Sequence, residues 1–362
     1  MMSTPKSIPK WFYYLALLPL VMGVSAWQGW AWWSWATAPP VSSDNVVNES
    51  DGLVQIQIPP GTAGQQIGQD LEAAGLIRSA KAWRMWAFLK GMEDPEGAFK
   101  AGTYKLSPSD PLPAIADQIW KGEVMQLSFT IPEGWNLKQM AKYFESIGYF
   151  SAEEFLQATK EIPRDQYPWL PEDLPHLEGF LFPNTYTLAS DRVSPQEVIA
   201  IMLEHFEKVA LPIYEEGKNQ TSLSLLEWVS LASIVEKEAV VGEERGQIAG
   251  VFAARLRRGM KLQADPTVEY ALGIQQTADQ PLTYAQVETP SPYNTYVNPG
   301  LPPTAIASPG LASLKATLYP ENTEYLYFVA RYDGTHVFSK TLAAHEAATR
   351  AIRQQRQLQQ SN

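Results

Sequence analysis

The sequence has 362 residues, a formal net charge of −11, no cysteine and four histidines. This length permits one large domain or several small ones, and the 12 tryptophans and 16 tyrosines indicate that most of the chain folds. The acidic balance excludes a non-specific nucleic-acid binder, because phosphate binding needs clustered Lys and Arg. The lack of cysteine excludes disulfides and thiolate metal sites, and the histidines lack helical metal-ligand spacing, so we expect no metal site.

The first predicted element is a membrane anchor. Lys6 and Lys10 precede an uncharged run at residues 11–38, and a bilayer-spanning helix needs about 20 apolar residues. Tryptophans crowd the far end of the run, as in an interfacial aromatic belt. The run therefore predicts a single-pass protein of the inner (plasma) membrane, with residues 1–10 cytoplasmic and the rest extracytoplasmic. The alternative is a cleavable signal peptide, because residues 36–38 have a small-x-small pattern.

A predicted linker at residues 39–52 precedes an internal repeat. Residues 58–75 and 131–148 align without gaps, and in each copy a strand leads through a Pro-x-Gly turn into a short amphipathic helix. Gly75 or Gly148 is expected to end each helix. Such a unit resembles half of a LysM-like glycan-binding module, although two small βα units can also serve only to pack on each other.

The most regular helix is predicted over residues 225–241. Its apolar residues cover nearly the whole circumference, which indicates burial on most sides. Glu236 and Glu238 interrupt that surface, and a buried carboxylate is costly unless it is paired or protonated, so either one is a candidate general acid. Glu238 is favoured because the last helical turn disfavours an ionised carboxylate. The alternative is that one of them pairs with a basic residue such as Arg245 or Arg255.

Constrained polar loops are predicted near this helix in sequence. Residues 262–267 follow a helix, and residues 289–304 are dense in Pro, Tyr and Asn. Proline lowers the entropy lost when a loop is held in one shape, while Tyr and Asn offer ring faces and amides that suit sugars. A loop that merely covers the sheet is the alternative. Residues 177–186 form an aromatic stretch with a single charge, Glu178.

Taken together, these segments resemble the YceG-like (MltG-type) endolytic murein transglycosylases over almost everything after the linker. The resemblance is carried by LEGFLFPNTY at 177–186, ASIVEKEA at 232–239, RLRRGMKLQADPTV at 255–268, YNTY at 293–296, GLPPT at 300–304, IASPG at 306–310 and GTHVFS at 334–339. Any one of these motifs alone would be weak, whereas the set is specific.

The resemblance implies an α+β fold: an N-terminal transmembrane helix, a LysM-like βα repeat region, and a mixed α+β catalytic domain distantly similar to goose-type lysozyme. Enzymes of this family cleave the MurNAc–GlcNAc β-1,4 bond within nascent glycan strands and leave a 1,6-anhydro-MurNAc end, with no metal or cofactor. The family is thought to end strand elongation, which implies peptidoglycan synthases (penicillin-binding proteins) as candidate partners.

The family pattern also points to particular site residues. In lytic transglycosylases the acid lies in a pattern like Ile-x-x-x-Glu-Ser near a helix end, which places it at Glu238, with Ala239 where Ser is usual and Glu236 as the alternative. The implied substrate-binding residues are Tyr293, Asn294, Tyr296, Gln263, Asp265 and Glu178. A hydrolytic muramidase and a non-catalytic peptidoglycan-binding scaffold are the alternative functions.

The expected domains follow from these elements. They are a cytoplasmic tail at 1–10, a transmembrane anchor at 11–38, a linker at 39–52, a LysM-like repeat region at 53–150, a YceG-like catalytic domain at 151–355 and a tail at 356–362.

Overall fold

The computed structural model describes residues 10–41, 52–124, 127–188, 193–277, 280–331 and 333–360. Most of the expected linker, all but Lys10 of the expected cytoplasmic tail and the last two residues lie outside this part. The chain divides into two compact units. Unit 1 comprises Met1–Leu127 and Thr187–Asp191, and unit 2 comprises Ser128–Tyr186 and Arg192–Asn362. The second copy of the repeat lies in unit 2, whereas the domain bounds expected from the sequence stay a prediction.

Unit 1 is built on an antiparallel strand pair covered by short helices. Its elements are α1 (Lys10–Thr37), β1 (Val54–Ile58), α2 (Gly64–Ala73), α3 (Ala80–Glu93), β2 (Gly102–Leu106) and α4 (Leu112–Lys121). The register runs from Val54 opposite Leu106 to Ile58 opposite Gly102. The core centres on Trp83, which is fully buried, stacks on Phe99 and donates its indole N–H to the carbonyl of Gly64 at 2.8 Å.

The predicted membrane anchor is wrong. Among the described residues, no helix is both long and apolar enough to cross a bilayer, which also overturns the predicted single-pass inner-membrane location. Helix α1 has the length, about 42 Å at 1.5 Å per residue. The tryptophans, serines and glutamine of its second half lower its mean hydropathy, since the indole N–H and the hydroxyl and amide groups are polar. Its last turn joins the core of unit 1, where Ala36 is fully buried.

Unit 2 holds the remaining helices, the pair β5–β6, most of β3 and the first half of β4. Its elements are β3 (Leu127–Thr130), α5 (Leu137–Ser146), α6 (Ala152–Ala158), β4 (Thr185–Leu188), α7 (Pro195–Val209), α8 (Leu211–Gly217), α9 (Leu225–Glu238), α10 (Arg245–Arg257), α11 (Asp265–Leu272), α12 (Tyr284–Val287), α13 (Leu311–Leu318), β5 (Tyr327–Ala330), β6 (His336–Ser339) and α14 (Leu342–Gln360). β3 pairs with β4, and β5 with β6 as an antiparallel hairpin. The α+β class expected from the sequence is confirmed.

Both repeat copies form a strand, a turn and a helix, as β1–α2 and β3–α5. Gly75 and Gly148 follow the two helices with φ angles of +70° and +76°, a left-handed conformation that favours glycine. Helix α5 is the better capped of the two. Asn136 accepts a hydrogen bond from the backbone N–H of Gln139, and the Gln139 side chain accepts one from the backbone N–H of Asn136. The glycan-binding role of the repeat stays a prediction.

Helix α9 forms the buried centre of unit 2. A capping box between Ser224 and Glu227 starts it, and the eight residues from Trp228 to Val235 are all buried. The sequence predicts a helix as far as residue 241, but it ends at Glu238 because Ala239 takes an extended backbone conformation. Glu238 is thus the last helical residue, directly before the chain turns away.

Candidate active site

Glu238 lies at the C-terminal end of α9 as a half-buried carboxyl group. Among the described residues no hydrogen bond or ion pair engages it. Desolvation, followed by the nearby Asp265 and Glu269, raises the pKa of Glu238 to about 8, while Arg255 opposes the shift. At neutral pH this group therefore carries a proton that it can donate, and it has no structural partner to lose by doing so.

Two carboxyl groups of α11 surround Glu238. Asp265 starts that helix and Glu269 follows one turn later on the same face. Asp265 accepts a short hydrogen bond from the Tyr296 hydroxyl and another from the Gln276 amide at 3.2 Å. Glu269 accepts the backbone N–H of Gln276 at 2.8 Å, and burial raises its pKa. Glu269 was not among the residues expected from the sequence, although its spacing of four from Asp265 is a usable signal.

Glu236 lies two residues earlier and is held differently. Its carboxylate accepts hydrogen bonds from the backbone N–H of Gly310 at 3.0 Å and from the Ser313 hydroxyl at 2.6 Å. Both donors belong to the N-terminal end of α13, where the helix dipole stabilises a negative charge. Glu236 therefore anchors the end of α9 to the start of α13. Neither Glu236 nor Glu238 forms an ion pair with an arginine among the described residues.

Arg255 is a second residue whose role the sequence left open. It is 7% exposed, and its guanidinium donates to the carbonyls of Leu326 at 2.6 Å and Leu262 at 2.7 Å. It also lies 5.1 Å from the Tyr327 ring centroid. These contacts fix the start of the 262–267 loop. The positive charge of Arg255 acts on Glu238 at the same time.

The 262–267 loop and the 289–304 loop are joined by a small buried hydroxyl network. The hydroxyl oxygens of Thr267 and Thr295 lie 2.9 Å apart and share a hydrogen bond. Thr295 Oγ1 also accepts a hydrogen bond from the backbone N–H of Ala264 at 3.0 Å. Gln263 donates its backbone N–H to the Thr295 carbonyl. This pairing holds Asp265 and Tyr296 together beside Glu238.

Gln263 has the one left-handed backbone among the non-glycine residues that the structure describes, with φ of +49°. Such a conformation costs about 1 kcal/mol or more for a residue with a Cβ, and it persists only where the surroundings impose it. The Gln263 side chain is exposed. Strain beside an exposed amide, in a loop whose Asp265 acts on Glu238, is a pattern associated with binding sites.

Two other residues expected to bind the sugar, Asn294 and Tyr293, already form hydrogen bonds within the protein. Asn294 is 1% exposed; its amide donates to the carbonyls of Val287 and Thr289, and its oxygen accepts the Tyr296 N–H. Asn294 therefore shapes the loop from inside. Tyr293 is half-buried, and its hydroxyl lies 2.9 Å from that of Thr304.

Glu178 is 1% exposed and lies at the N-terminal end of α5. Both of its oxygens accept the backbone N–H of Leu137, at 3.0 and 3.2 Å, and Oε2 also accepts the Tyr270 hydroxyl at 3.0 Å. Burial raises the pKa of Glu178 to about 8, against the effect of these hydrogen bonds and of Lys138. Tyr270, which was not expected from the sequence either, thus contacts Glu178, and the burial of Glu178 leaves that carboxyl without access to a ligand.

A cleft of about 280 Å³ opens between α5, the end of α9 and α11. Its polar lining includes Asn136, Lys138, Gln139, Lys142, Lys237, Glu269 and Gln275. Glu238 does not line it, but its neighbours Lys237 and Glu269 do. Within the described ranges no group of three or more His, Asp or Glu side chains could hold a metal ion, and the expectation that the chain uses no metal or cofactor stays a prediction.

Comparison with known proteins identifies the family. The YceG-like family profile matches residues 56–351. The endolytic murein transglycosylase of Bacillus subtilis is 35% identical over 319 residues, covering 84% of this chain and 86% of the relative. The same-named protein of Streptococcus pneumoniae is 34% identical over 310 residues, covering 78% of this chain and 55% of the relative. A crystal structure of a yceG-like protein from Listeria monocytogenes matches with a TM-score of 0.56 and 33% identity, covering 82% of this chain and 99% of that chain. This chain belongs to the YceG-like family.

Proposed function

We propose that this chain cleaves peptidoglycan glycan strands as an endolytic lytic transglycosylase, with Glu238 as the general acid. The relatives named for this activity support the reaction class. The observation that carries the residue assignment is the state of Glu238: a half-buried carboxyl whose pKa is raised to about 8 and which has no hydrogen-bond partner in the described part of the chain. Glu236, which holds the start of α13, suits a structural role instead.

The proposed reaction uses one carboxyl group twice. The Glu238 carboxylic acid protonates the glycosidic oxygen between MurNAc and GlcNAc, and the C1–O bond breaks to release the GlcNAc hydroxyl. The substrate's own acetamido group stabilises the positive charge at C1. The Glu238 carboxylate then removes the proton of the MurNAc C6 hydroxyl, and O6 bonds to C1 to close the 1,6-anhydro ring. Glu238 ends the cycle protonated, as it began.

The surroundings of Glu238 suit both halves of this cycle. Asp265 and Glu269 keep Glu238 protonated in the resting site, and their negative charge also favours the positive charge that develops at C1. Arg255 acts in the opposite sense and stabilises Glu238 once it has become a carboxylate. We assign Gln263 and Tyr293 to contacts with the sugar, and Asn294, Tyr296 and Glu178 to positioning the elements around it.

Digestion of purified peptidoglycan by the full chain, followed by mass spectrometry, tests the proposal. Anhydro-ended fragments are the expected product. Fragments with ordinary reducing ends would instead identify a muramidase, and strands that bind without being cut would identify a scaffold.

The muramidase is the second candidate because of Asp265. Hydrolytic glycosidases place two carboxyl groups across the scissile bond, and Asp265 is the carboxyl whose charge acts most strongly on Glu238. Its two hydrogen bonds, from Tyr296 and Gln276, favour a supporting role over activation of water. Association with peptidoglycan synthases, and with it the end of strand elongation, stays a prediction.

A further inference from the structure

The cleft between α5, α9 and α11 carries a positive charge that the rest of the chain does not lead one to expect. The chain has 39 acidic and 28 basic residues, yet three lysines and one acidic residue line this cleft. Lys138 and Lys142 are exposed on α5, and Lys237 is exposed at the end of α9. Among the described residues none of the three forms an ion pair within 4.0 Å.

The position of these lysines is unfavourable for the helix that bears two of them. Lys138 lies in the first turn of α5, at the end where the helix dipole disfavours a positive charge. Lys142 follows one turn later, so that two like charges lie side by side on one face. Local helix stability therefore does not account for this pair of lysines.

The neighbouring acids of the site do not account for them either. Lys138 acts on Glu178, but that carboxyl has its pKa raised to about 8 and is largely neutral at pH 7. Lys237 acts on Glu269, which already accepts the backbone N–H of Gln276. The lysine charges thus remain available to a ligand in the cleft.

We propose that this cleft is a subsite for a carboxylate of the stem peptide that the glycan strand carries. The inference rests on the proposed function, because Lys237 and Glu269 connect the cleft to Glu238. A strand held with its scissile bond at Glu238 places the peptide-bearing muramic acid beside the bond that is cut. The amide of Gln275 and the side-chain NH2 groups of Asn136 and Gln139, whose oxygens cap α5, add hydrogen-bonding groups along the cleft for the peptide backbone. The subsite would select strands that carry acidic peptides over strands that do not.

The experiment measures binding of glycan strands to the full-length Glu238→Gln protein by calorimetry. One preparation carries stem peptides with free carboxylates, and a second carries the same peptides after chemical amidation, which removes the charge and keeps the shape. We expect the amidated strands to bind about fivefold more weakly, as fits the loss of two solvated charge contacts. The difference should shrink at high ionic strength.

Lys138→Gln combined with Lys142→Gln should abolish this discrimination, so that both preparations bind equally weakly. Lys160→Gln combined with Lys208→Gln is the matched control, since both are exposed lysines of unit 2 outside the cleft, and it should keep the discrimination. Equal binding of both preparations to the parent protein, or unchanged discrimination in the Lys138 and Lys142 variant, would overturn the subsite.

A third preparation identifies the source of the carboxylate. Amidase-treated strands lack the peptide and expose the lactyl carboxylate of the muramic acid. If they bind as tightly as the peptide-bearing strands and depend on the same lysines, the assignment to the stem peptide is wrong. Cleavage by the wild-type chain is recorded separately, so loss of the proposed activity and loss of the subsite give different results.

Discussion

Two carboxyl groups of unit 2, each beside the end of a helix, have the same raised pKa but differ in their burial and hydrogen bonding. Glu178, at the start of α5, has a pKa of about 8, is 1% exposed and accepts three hydrogen bonds. Glu238, at the end of α9, also has a pKa of about 8, but it is half-buried and accepts none in the described part of the chain. A raised pKa therefore does not by itself identify a general acid.

The two sites reach that pKa by different balances. At Glu178, the N-terminal end of a helix and two kinds of donor favour the ionised form, and desolvation still outweighs them. At Glu238, desolvation is joined by two neighbouring carboxyls, and only Arg255 opposes them. The first group is fixed by its partners, whereas the second is free to transfer its proton. If this difference separates a structural from a catalytic carboxyl group, variants at the two sites should differ in their effect on cleavage.

The largest expected effect is on cleavage. Glu238→Gln should reduce the rate of anhydro-end formation by about 10²- to 10⁴-fold, the usual contribution of a general acid, because an amide cannot donate the proton. The measurement is the initial rate of muropeptide release by mass spectrometry.

Glu236→Gln is the matched control on the same helix. It should keep most of the activity and lower the free energy of unfolding by about 1 kcal/mol, since the amide weakens the contacts to Gly310 and Ser313. If Glu236→Gln removed the activity while Glu238→Gln kept it, the assignment of the two residues would be reversed.

The next effect concerns stability against pH at Glu178. Between its ordinary pKa of 4.5 and its native pKa of about 8, the folded chain holds a proton that the unfolded chain has lost. Stability therefore falls as pH rises through this window, by at most about 1.4 kcal/mol per pH unit from this group. Glu178→Gln should flatten the fall, as measured by urea unfolding between about pH 5 and about pH 8. Glu238→Gln should flatten it as well, since the native pKa of Glu238 is also about 8; an unchanged fall in both variants would contradict the two raised pKa values.

A smaller effect is expected in the pH dependence of cleavage. Activity should fall as pH rises through about 8, where Glu238 loses its proton. Asp265→Asn removes the charge that acts most strongly in raising this pKa, so the alkaline limb of the pH–rate profile should move down by about half to one unit. Glu269→Gln should move it in the same direction. A profile that stays in place, or that moves upward, in both variants would exclude these carboxyls as the cause.

How far the sequence predicts this site depends on the range of the interaction concerned. The glycines that follow α2 and α5 and the burial of α9 on most sides are set by local sequence, and the sequence predicts them, although it extends α9 three residues too far, to residue 241. The division between Glu236 and Glu238 depends on Gly310 and Ser313, more than 70 residues away in the chain, and helix position alone left it open. The burial of Glu178 against Leu137 and Tyr270 is equally long-range. The prediction for helix α1 was wrong for another reason. Its lack of charge suggested a membrane span, whereas its polar and indole groups lower its mean hydropathy.

The smallest effect concerns backbone strain, which differs between the surroundings of Glu178 and those of Glu238. Next to Glu178 the left-handed position is a glycine, Gly179 with φ of +86°, whereas before Asp265 it is Gln263 with φ of +49°. Gln263→Gly should relieve the strain and change the free energy of unfolding by about 0 to +1 kcal/mol, because the added freedom of glycine in the unfolded chain offsets part of the gain. Gln263→Ala keeps the strain and should give no such gain. If the exposed amide of Gln263 binds the glycan, both variants should raise KM to the same extent with little change in kcat. A lower kcat at unchanged KM would instead place Gln263 among the residues that position Glu238, and unchanged kinetics in both variants would leave the strain without a part in the reaction.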